Sequence, residues 1–301
     1  MIRGVDSSGE QFLLGIDRIG QRLDRVQRQI SSGRRIQTAS DDPDQIGNLL
    51  RTRAELAQND EVRSDLGSHK LEADLAADAL TRTSQLLERV KSLSAWGITG
   101  PLDAATTAGV LAQVDGFMQE MVGIAGTTVN GRRIFSGDAD QTAPYTLDPT
   151  QPNGFSTYAG SASTRMAMHP DGTLFPVSKT AQELFDSPAP GESVFTAIAN
   201  LRQGLATADT TMIQGALDSV QSAAEHMRTS AVFYGRVQSR ISTATDYAGQ
   251  NDVRLRNQLS SIEDADVTAA IVEFKDLQFN RDASLAARAK LRKTSLFDYL
   301  G

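Results

Sequence analysis

Few side chains in this sequence combine the types and the spacing that catalysis or metal binding requires. The three histidines, His69, His169 and His226, lie far apart. His226 stands in Ala-Glu-His-Met and lacks the His-Glu-x-x-His spacing that puts two metal ligands on one helical face. There is also no Gly-x-Ser-x-Gly motif and no glycine-rich phosphate loop. We therefore expect no catalytic residue, no bound metal and no cofactor.

The closely spaced acidic residues lie where helices are expected to begin. Asp42 directly precedes Pro43, and Asp264 and Asp266 precede the apolar residue Val267. A carboxylate at a helix start accepts backbone N–H bonds and interacts favourably with the helix dipole. We interpret Asp42, Asp264 and Asp266 as helix caps and not as groups for acid–base catalysis.

Composition and charge narrow the class of protein. Aromatic residues make up only 6% of the 301 residues, which favours a helical, coiled-coil-like protein over a thick globular core. The absence of cysteine excludes disulfides, and the net charge of −7 argues against nucleic acid as a partner. No apolar run approaches the ~18 residues of a membrane span, and the first residues do not form a secretory signal. We expect neither a membrane segment nor a cleaved signal peptide.

Both ends of the chain carry apolar residues at heptad spacing. Such a seam is typical of a helix that packs on other helices. In the first segment the seam consists of Phe12, Ile16, Ile19, Leu23, Val26 and Ile30. In the last segment the apolar residues are Val267, Ile271, Phe274, Leu277 and Leu285, followed by Leu296, Phe297, Tyr299 and Leu300. We predict that these side chains form a subunit-assembly interface; the alternative is that they pack only within one chain.

Between the two ends, the sequence predicts long helices and a β-rich insertion. One helix runs from Pro43 to about Trp96, and a third runs from about Asp103 to Asn130-Gly131. Seven of the nine prolines fall in residues 137–192, among short alternating runs and turn signals that are typical of strands. Beyond them, an apolar ladder from Ile213 to Ile262 predicts a second long helix.

The predicted fold is mainly α, an elongated coiled-coil-like helical bundle of long rods with a small β-rich inserted domain. The predicted segments are a terminal assembly helix and loop (1–42), the first half of the rod domain (43–136), the insertion (137–192), the second half of the rod domain (193–263) and a last assembly helix (264–301).

Four sequence stretches, in this order and spacing, resemble the bacterial flagellin family. They are Gln29-Ile-Ser-Ser-Gly-Arg-Arg-Ile36 with Ala39-Ser-Asp-Asp-Pro43, then Asn130-Gly-Arg-Arg-Ile-Phe-Ser-Gly137, Ile262-Glu-Asp-Ala-Asp266 and Ser295-Leu-Phe-Asp-Tyr-Leu300. Within that family, the Phe-Ser-Gly motif, the Asp-Asp-Pro variant and the small insertion favour the proteins that join the flagellar hook to the filament. Flagellin, the filament subunit itself, is the alternative.

The resemblance implies a structural axial protein of the flagellum with no enzymatic activity. It also implies an extracellular location that is reached through the flagellar type III export channel, after binding to a cytoplasmic export chaperone. The implied partners are copies of the chain itself, in a ring or helical layer of about eleven per turn, with a preceding hook-associated protein on one side and flagellin on the other.

A hypothesis of a different class is a cytoplasmic coiled-coil signalling module, which long heptad helices also permit. Such a module is expected to come with a membrane anchor or a linked sensor domain. The sequence shows neither, so we favour the structural protein.

Overall fold

The computed structural model describes the backbone of residues 3–100 and 103–290 and the side chains of residues 9–100 and 103–290. The described residues form seven helices and four short strands, so the prediction of a mainly α fold with a small β-rich insertion is confirmed. The helices are α1 (Arg3–Ser32), α2 (Pro43–Thr99), α3 (Ala104–Ala125), α4 (Ala181–Phe185), α5 (Val194–Thr207), α6 (Thr210–Glu263) and α7 (Val267–Lys290). The strands are β1 (Thr128–Val129), β2 (Arg132–Arg133), β3 (Met166–Met168) and β4 (Leu174–Pro176), paired as two antiparallel hairpins, β1–β2 and β3–β4.

The third helix ends earlier than the sequence suggests. Asn130 and Gly131 do not end α3, which stops at Ala125; they form the two-residue turn of the β1–β2 hairpin. Both have positive φ angles, 50° and 78°. A tight hairpin turn of this kind needs φ above zero at both central positions, which Asn-Gly adopts at little cost. The pair is therefore a hairpin signal, and the predicted helix end at 130 is wrong.

Residues 59–251 form one compact unit in which the insertion shares a core with the helices. Aromatic side chains provide the attachment. Tyr145 and Phe155 each lie with their ring centroids 4.5 Å from that of Phe195 on α5. Phe135 meets Phe185 of α4 edge-to-face at 5.4 Å. These rings anchor the insertion, because stacked and edge-to-face aromatic pairs combine large apolar burial with a preferred geometry.

An ion pair of low exposure also attaches the insertion to α2. Arg165, which directly precedes β3, donates from Nη1 to Oε1 of Glu72 at 2.8 Å and from Nη2 to the carbonyl oxygen of Arg133 at 3.1 Å. Its side chain is 10% exposed and that of Glu72 is 17% exposed. Nδ1 of His69 lies 3.5 Å from the same carboxylate, which is too long for a strong hydrogen bond.

Residues 3–58 and 252–290 belong to a second compact unit, in which α1 packs on α7. The carboxylate of Glu263, at the end of α6, is almost fully buried in this unit. Its Oε1 accepts from Nε of Arg34 and from Nη2 of Arg53, both at 2.8 Å. The backbone carbonyl of Glu263 accepts from the N–H of Arg35, and the N–H of Ala265 donates to the carbonyl of Gly33. These bonds join the α1–α2 loop to the α6–α7 turn.

The boundaries of the two units therefore fall inside α2 and α6, at 58/59 and 251/252. The sequence places the nearest boundaries at the starts of helices, 42/43 and 263/264. The difference has a physical cause: the first turns of α2 and the last turns of α6 pack with the loop that Glu263 holds, so they belong with the terminal helices.

We predict that Glu263→Gln destabilises the terminal unit. A neutral amide cannot accept two charge-assisted bonds, and hydrogen bonds to charged groups contribute about 1.5–3 kcal/mol each. Hydrogen exchange should show that the free energy of opening falls by ~1–3 kcal/mol for the amides of α7 and of the 33–36 loop. The matched control is Glu225→Gln, whose exposed pair with Arg228 should change stability by less than ~0.5 kcal/mol. Unchanged protection in Glu263→Gln would contradict the role given to this carboxylate.

We predict that acid weakens the attachment of the insertion through Glu72. Burial raises the pKa of Glu72, but His69 and Arg165 lower it more, so its pKa lies below the ordinary 4.5. We attribute most of the lowering to Arg165, since its bond is the shorter. The stabilisation is therefore complete above the unfolded value of 4.5 and is lost as the pH falls through the folded pKa.

The measurement is urea unfolding followed by the fluorescence of Trp96, the sole tryptophan, over a pH series. The difference in stability between the natural protein and Glu72→Gln should be ~1–3 kcal/mol at pH 7 and should shrink below pH ~4.5. Glu225→Gln should track the natural protein throughout. A difference that stays constant with pH would show that Glu72 contributes by packing and not by its charge.

Candidate functional site

The first and last helices form an antiparallel pair. Arg22 donates to Glu273 at 2.6 Å, and the guanidinium of Arg288 lies 5.4 Å from the ring centroid of Phe12. Residues near the start of α1 thus meet residues near the end of α7. The fully buried part of the seam consists of Leu23, Val26, Ala270 and Leu277, with Ile19, Ile30 and Phe274 packed against it.

All of the α1 residues predicted for the interface lie on the side of the helix that faces α7. Leu23 and Val26 are buried, and Phe12, Ile16, Ile19 and Ile30 are half-buried. The 4/3 spacing of the sequence therefore identifies the correct face of α1. Four of the six stay partly exposed, and their use by a neighbouring subunit stays a prediction.

The predicted α7 residues divide into two groups. Phe274 and Leu277 pack on α1, whereas Val267, Ile271 and Leu285 are exposed by 39%, 40% and 47%. The seam of α7 instead passes through Ala270, which is 6% exposed. The heptad pattern of large apolar side chains does not include Ala270, because its small side chain gives a weak hydrophobic signal.

Both helices also carry large apolar side chains away from their shared seam. Phe279 is 73% exposed and Val272 is 56% exposed, and both point away from the α1 side, as their positions at 100° per residue show. Leu14 of α1, 59% exposed, is likewise opposite α7. We call Leu14, Val272 and Phe279 the outer apolar set. They lie off the 4/3 seam, so a search for that spacing assigns them to solvent, and only their hydrophobicity could have indicated them.

The three predicted caps have different surroundings. Oδ1 of Asp42 accepts the N–H of Gln45 at 3.3 Å at the start of α2, and Oδ1 of Asp266 accepts the N–H of Ala269 at 3.0 Å at the start of α7. The carboxylate of Asp264 instead accepts from the hydroxyl of Ser260 in the last turn of α6. Asp264 is therefore no cap of α7.

Asp42 has a second role in the α1–α2 loop. Its Oδ2 accepts from Nη1 of Arg35 at 2.7 Å, and this bond holds the pKa of Asp42 below its usual value. Arg35 also donates to the carbonyl oxygen of Ile262 at 2.8 Å. One guanidinium therefore joins the start of α2 to the end of α6.

The described residues contain no group of three or more histidine, cysteine or acidic side chains that could hold a metal ion. Each histidine has an acidic neighbour of its own: Glu72 for His69, Asp171 for His169 and Glu192 for His226. None of the described helices is both long and apolar enough to span a membrane. The predicted interface residues Leu296, Phe297, Tyr299 and Leu300 lie outside the described residues.

Comparison with known proteins agrees with this geometry at both ends of the chain. Residues 10–140 match the helical N-terminal region of bacterial flagellin, and residues 217–300 match its helical C-terminal region. The two regions contain α2, α3 and α7 entirely, as well as most of α1 and α6. No protein of curated function matches the sequence.

Solved structures share the fold at low sequence identity. A structure assigned as a flagellar hook-associated protein of Vibrio parahaemolyticus has a TM-score of 0.65 and 16% identity, covering 74% of this chain and 100% of its own. FlgL of Bacillus cereus has a TM-score of 0.57 and 17% identity, covering 69% and 98%. Flagellar hook-associated protein 3 of Legionella pneumophila has a TM-score of 0.60 and 12% identity, covering 70% and 98%.

The two flagellin regions together span more than half of the chain, in the expected order, and the fold agrees with them. Proteins of this kind are structural and not enzymatic, and they function by assembling with other flagellar components. The chain therefore belongs to the bacterial flagellin family and is a structural component of the flagellum.

Proposed function

We propose that this protein joins the flagellar hook to the filament. The observation that carries the proposal is the two-sided character of the terminal helix pair. One side of α7 is buried on α1, and the opposite side presents Phe279 and Val272 to solvent. Val267, Ile271 and Leu285 are exposed on the same helix, and several exposed apolar side chains together, unlike single ones, indicate a surface that another protein covers. A structural subunit needs such a surface, because its function is to hold neighbours.

The choice of the junction over the filament rests on similarity of fold. The compared structures carry the names hook-associated protein, FlgL and flagellar junction protein. The small size of the insertion and the Phe135-Ser-Gly137 sequence favour the same role. Flagellin remains the second candidate, because the terminal regions of the chain are the ones that match flagellin.

The proposed partners follow from this position in the flagellum. Copies of the chain form a ring or helical layer of about eleven per turn, held by head-to-tail contacts, since only these can continue around a helix. The preceding hook-associated protein contacts one side of the layer, and flagellin contacts the other. Before assembly the chain binds an export chaperone, and it reaches the outside of the cell without a cleaved signal peptide.

We predict that Phe279→Asp prevents assembly without unfolding the subunit. Phe279 has little contact with its own chain, so a carboxylate there costs little in the free protein. In an assembled layer the same charge would be buried without a partner, at a cost of several kcal/mol. The matched control is Phe279→Leu, which keeps an apolar side chain and should assemble.

The measurement combines circular dichroism of each purified variant with electron microscopy of cells that carry it as their sole copy. We expect natural helicity in both variants and bare hooks only for Phe279→Asp. Normal filaments on Phe279→Asp cells would show that the outer apolar set takes no part in assembly.

Deletion of the gene separates the two candidate roles. If the protein is the junction, deletion should leave hooks without filaments while flagellin accumulates in the medium. If it is the filament subunit, flagellin-sized protein should disappear from the medium, and the hooks should still carry junction proteins. Electron microscopy and electrophoresis of the culture supernatant distinguish these outcomes, and attached filaments on the deleted strain would contradict both roles.

A further inference from the structure

The outer face of the β3–β4 hairpin is entirely apolar. Met166 pairs with Pro176 and Met168 with Leu174, and all four side chains lie on the same side of the two strands. Met166, Met168 and Leu174 are exposed by 45%, 38% and 61%. An antiparallel sheet with one face on the core normally presents polar side chains to solvent on the other. We call these four residues the hairpin face.

The hairpin behind this face is firmly seated and has a basic side. Ala167 and Phe175, which alternate with the exposed residues, are buried. The guanidinium of Arg240 on α6 lies 4.6 Å from the ring centroid of Phe175, and Arg236 is one turn away, on the same surface beside the hairpin. Asp171 is also there, but it is engaged by Nδ1 of His169 at 2.9 Å.

A complementary surface exists in the same compact unit. A groove of about 740 Å³ lies between α2 and α3, with the half-buried apolar side chains Leu93, Trp96 and Phe117 along it. Its rim carries the carboxylates of Glu88 and Glu120. The structure thus has an apolar projection beside two arginines and an apolar groove whose rim carries both acidic and basic side chains.

The rim also carries basic side chains, and of its two carboxylates Glu88 is the less engaged. Arg89 donates to both oxygens of Glu120 at 2.6 Å and lies over the ring of Phe117 at 5.3 Å. Glu88 is 62% exposed, and Lys91 approaches it only to 3.9 Å. Glu88 is therefore available to a basic partner such as Arg236.

The two surfaces are too far apart to meet within one chain. Arg165, directly before β3, binds Glu72, which places the hairpin beside that part of α2. The groove uses α2 residues 88–96. About 20 residues of helix at 1.5 Å each separate them, or ~30 Å. A projection and a matching groove at different positions on one molecule produce a head-to-tail contact, which continues from copy to copy.

We propose that the hairpin face of one copy docks into the α2–α3 groove of a neighbouring copy. Met166, Met168 and Leu174 contact Leu93, Trp96 and Phe117, and the unbranched methionines adapt to the groove. Arg236 of one copy faces Glu88 of the other across the rim. This inference rests on the proposed function, since it names one of the contacts between copies in the assembled layer, distinct from the contacts of the terminal helices.

Disulfide crosslinking tests the contact, because the chain has no cysteine of its own. The test variant carries Met168→Cys and Gly116→Cys in the full chain. Gly116 lies in the groove, and a Cβ there meets nothing within 4 Å, so the substitution fits. Oxidation of assembled flagella should give a ladder of dimers, trimers and larger products on non-reducing electrophoresis. Each single-cysteine variant should give no ladder.

The matched control carries Val232→Cys in place of Met168→Cys. Val232 lies on α6, is 59% exposed and belongs to neither surface. Paired with Gly116→Cys, it should give no ladder. Leu174→Gln added to the test variant should lower the yield of crosslinked products at least about tenfold. The reason is that an amide in the groove does not gain the free energy of apolar burial.

Three results would overturn the inference. Dimers from Met168→Cys alone would mean that two hairpins pack on each other, and a crosslink to flagellin or to another hook-associated protein would mean a different occupant. Filaments that form normally on double-cysteine cells but yield no ladder would refute this contact while leaving the proposed function intact. Filaments that persist after deletion of the gene would refute the function, and then a ladder from the purified, concentrated protein would still establish the contact between copies.

Discussion

The terminal unit depends on one buried carboxylate. Glu263 ends α6 and receives guanidinium groups from Arg34 and Arg53, while its backbone carbonyl receives the N–H of Arg35. A charge buried to this degree is stable only if its partners are in place. It therefore fixes the α1–α2 loop against the end of α6, and with it the point from which α7 departs. The pairing of α1 with α7 depends on that departure point.

The α1–α7 pair separates buried and exposed apolar side chains on one helix. Ala270, Phe274 and Leu277 meet α1, whereas Val272 and Phe279 lie on the other side. Side chains that complete the subunit are thus separated from side chains available to neighbours. A polar substitution at Leu277 should therefore impair folding of the subunit, whereas one at Phe279 should impair assembly.

The sequence predicts the helices well, because their signals repeat over many residues. The 4/3 seam of α1 identifies the face that packs on α7, and Pro43 marks the start of α2. The signals that failed are short or depend on tertiary context. Asn130-Gly131 is compatible with a helix end as well as with a hairpin turn, and the seam of α7 includes Ala270, whose small side chain gives little hydrophobic signal. Glu263 stands among other acids, and nothing in the sequence distinguishes the buried one.

The exposed surfaces are harder to predict from the sequence than the seam, for a similar reason. Heptad spacing finds residues that pack along a regular seam, so it found the contact between α1 and α7. Residues outside a regular seam do not recur at heptad spacing. The outer apolar set and the hairpin face can therefore be identified only when the strand register and the helix contacts are known. Val267, Ile271 and Leu285 are exposed as an interface requires, and their use by a neighbour stays a prediction.

The antiparallel pairing of α1 with α7 also fixes an order of folding. Arg22 and Glu273 are 251 positions apart, so the two helices cannot meet until almost the whole chain is present. Contacts of such long sequence separation form late, because a large loop must close before they give any gain. The unit of residues 59–251 has its core without them. The terminal helix pair, which we propose contacts neighbouring subunits, is thus the last part to be completed, and this shortens the time in which a finished subunit can associate in the wrong place.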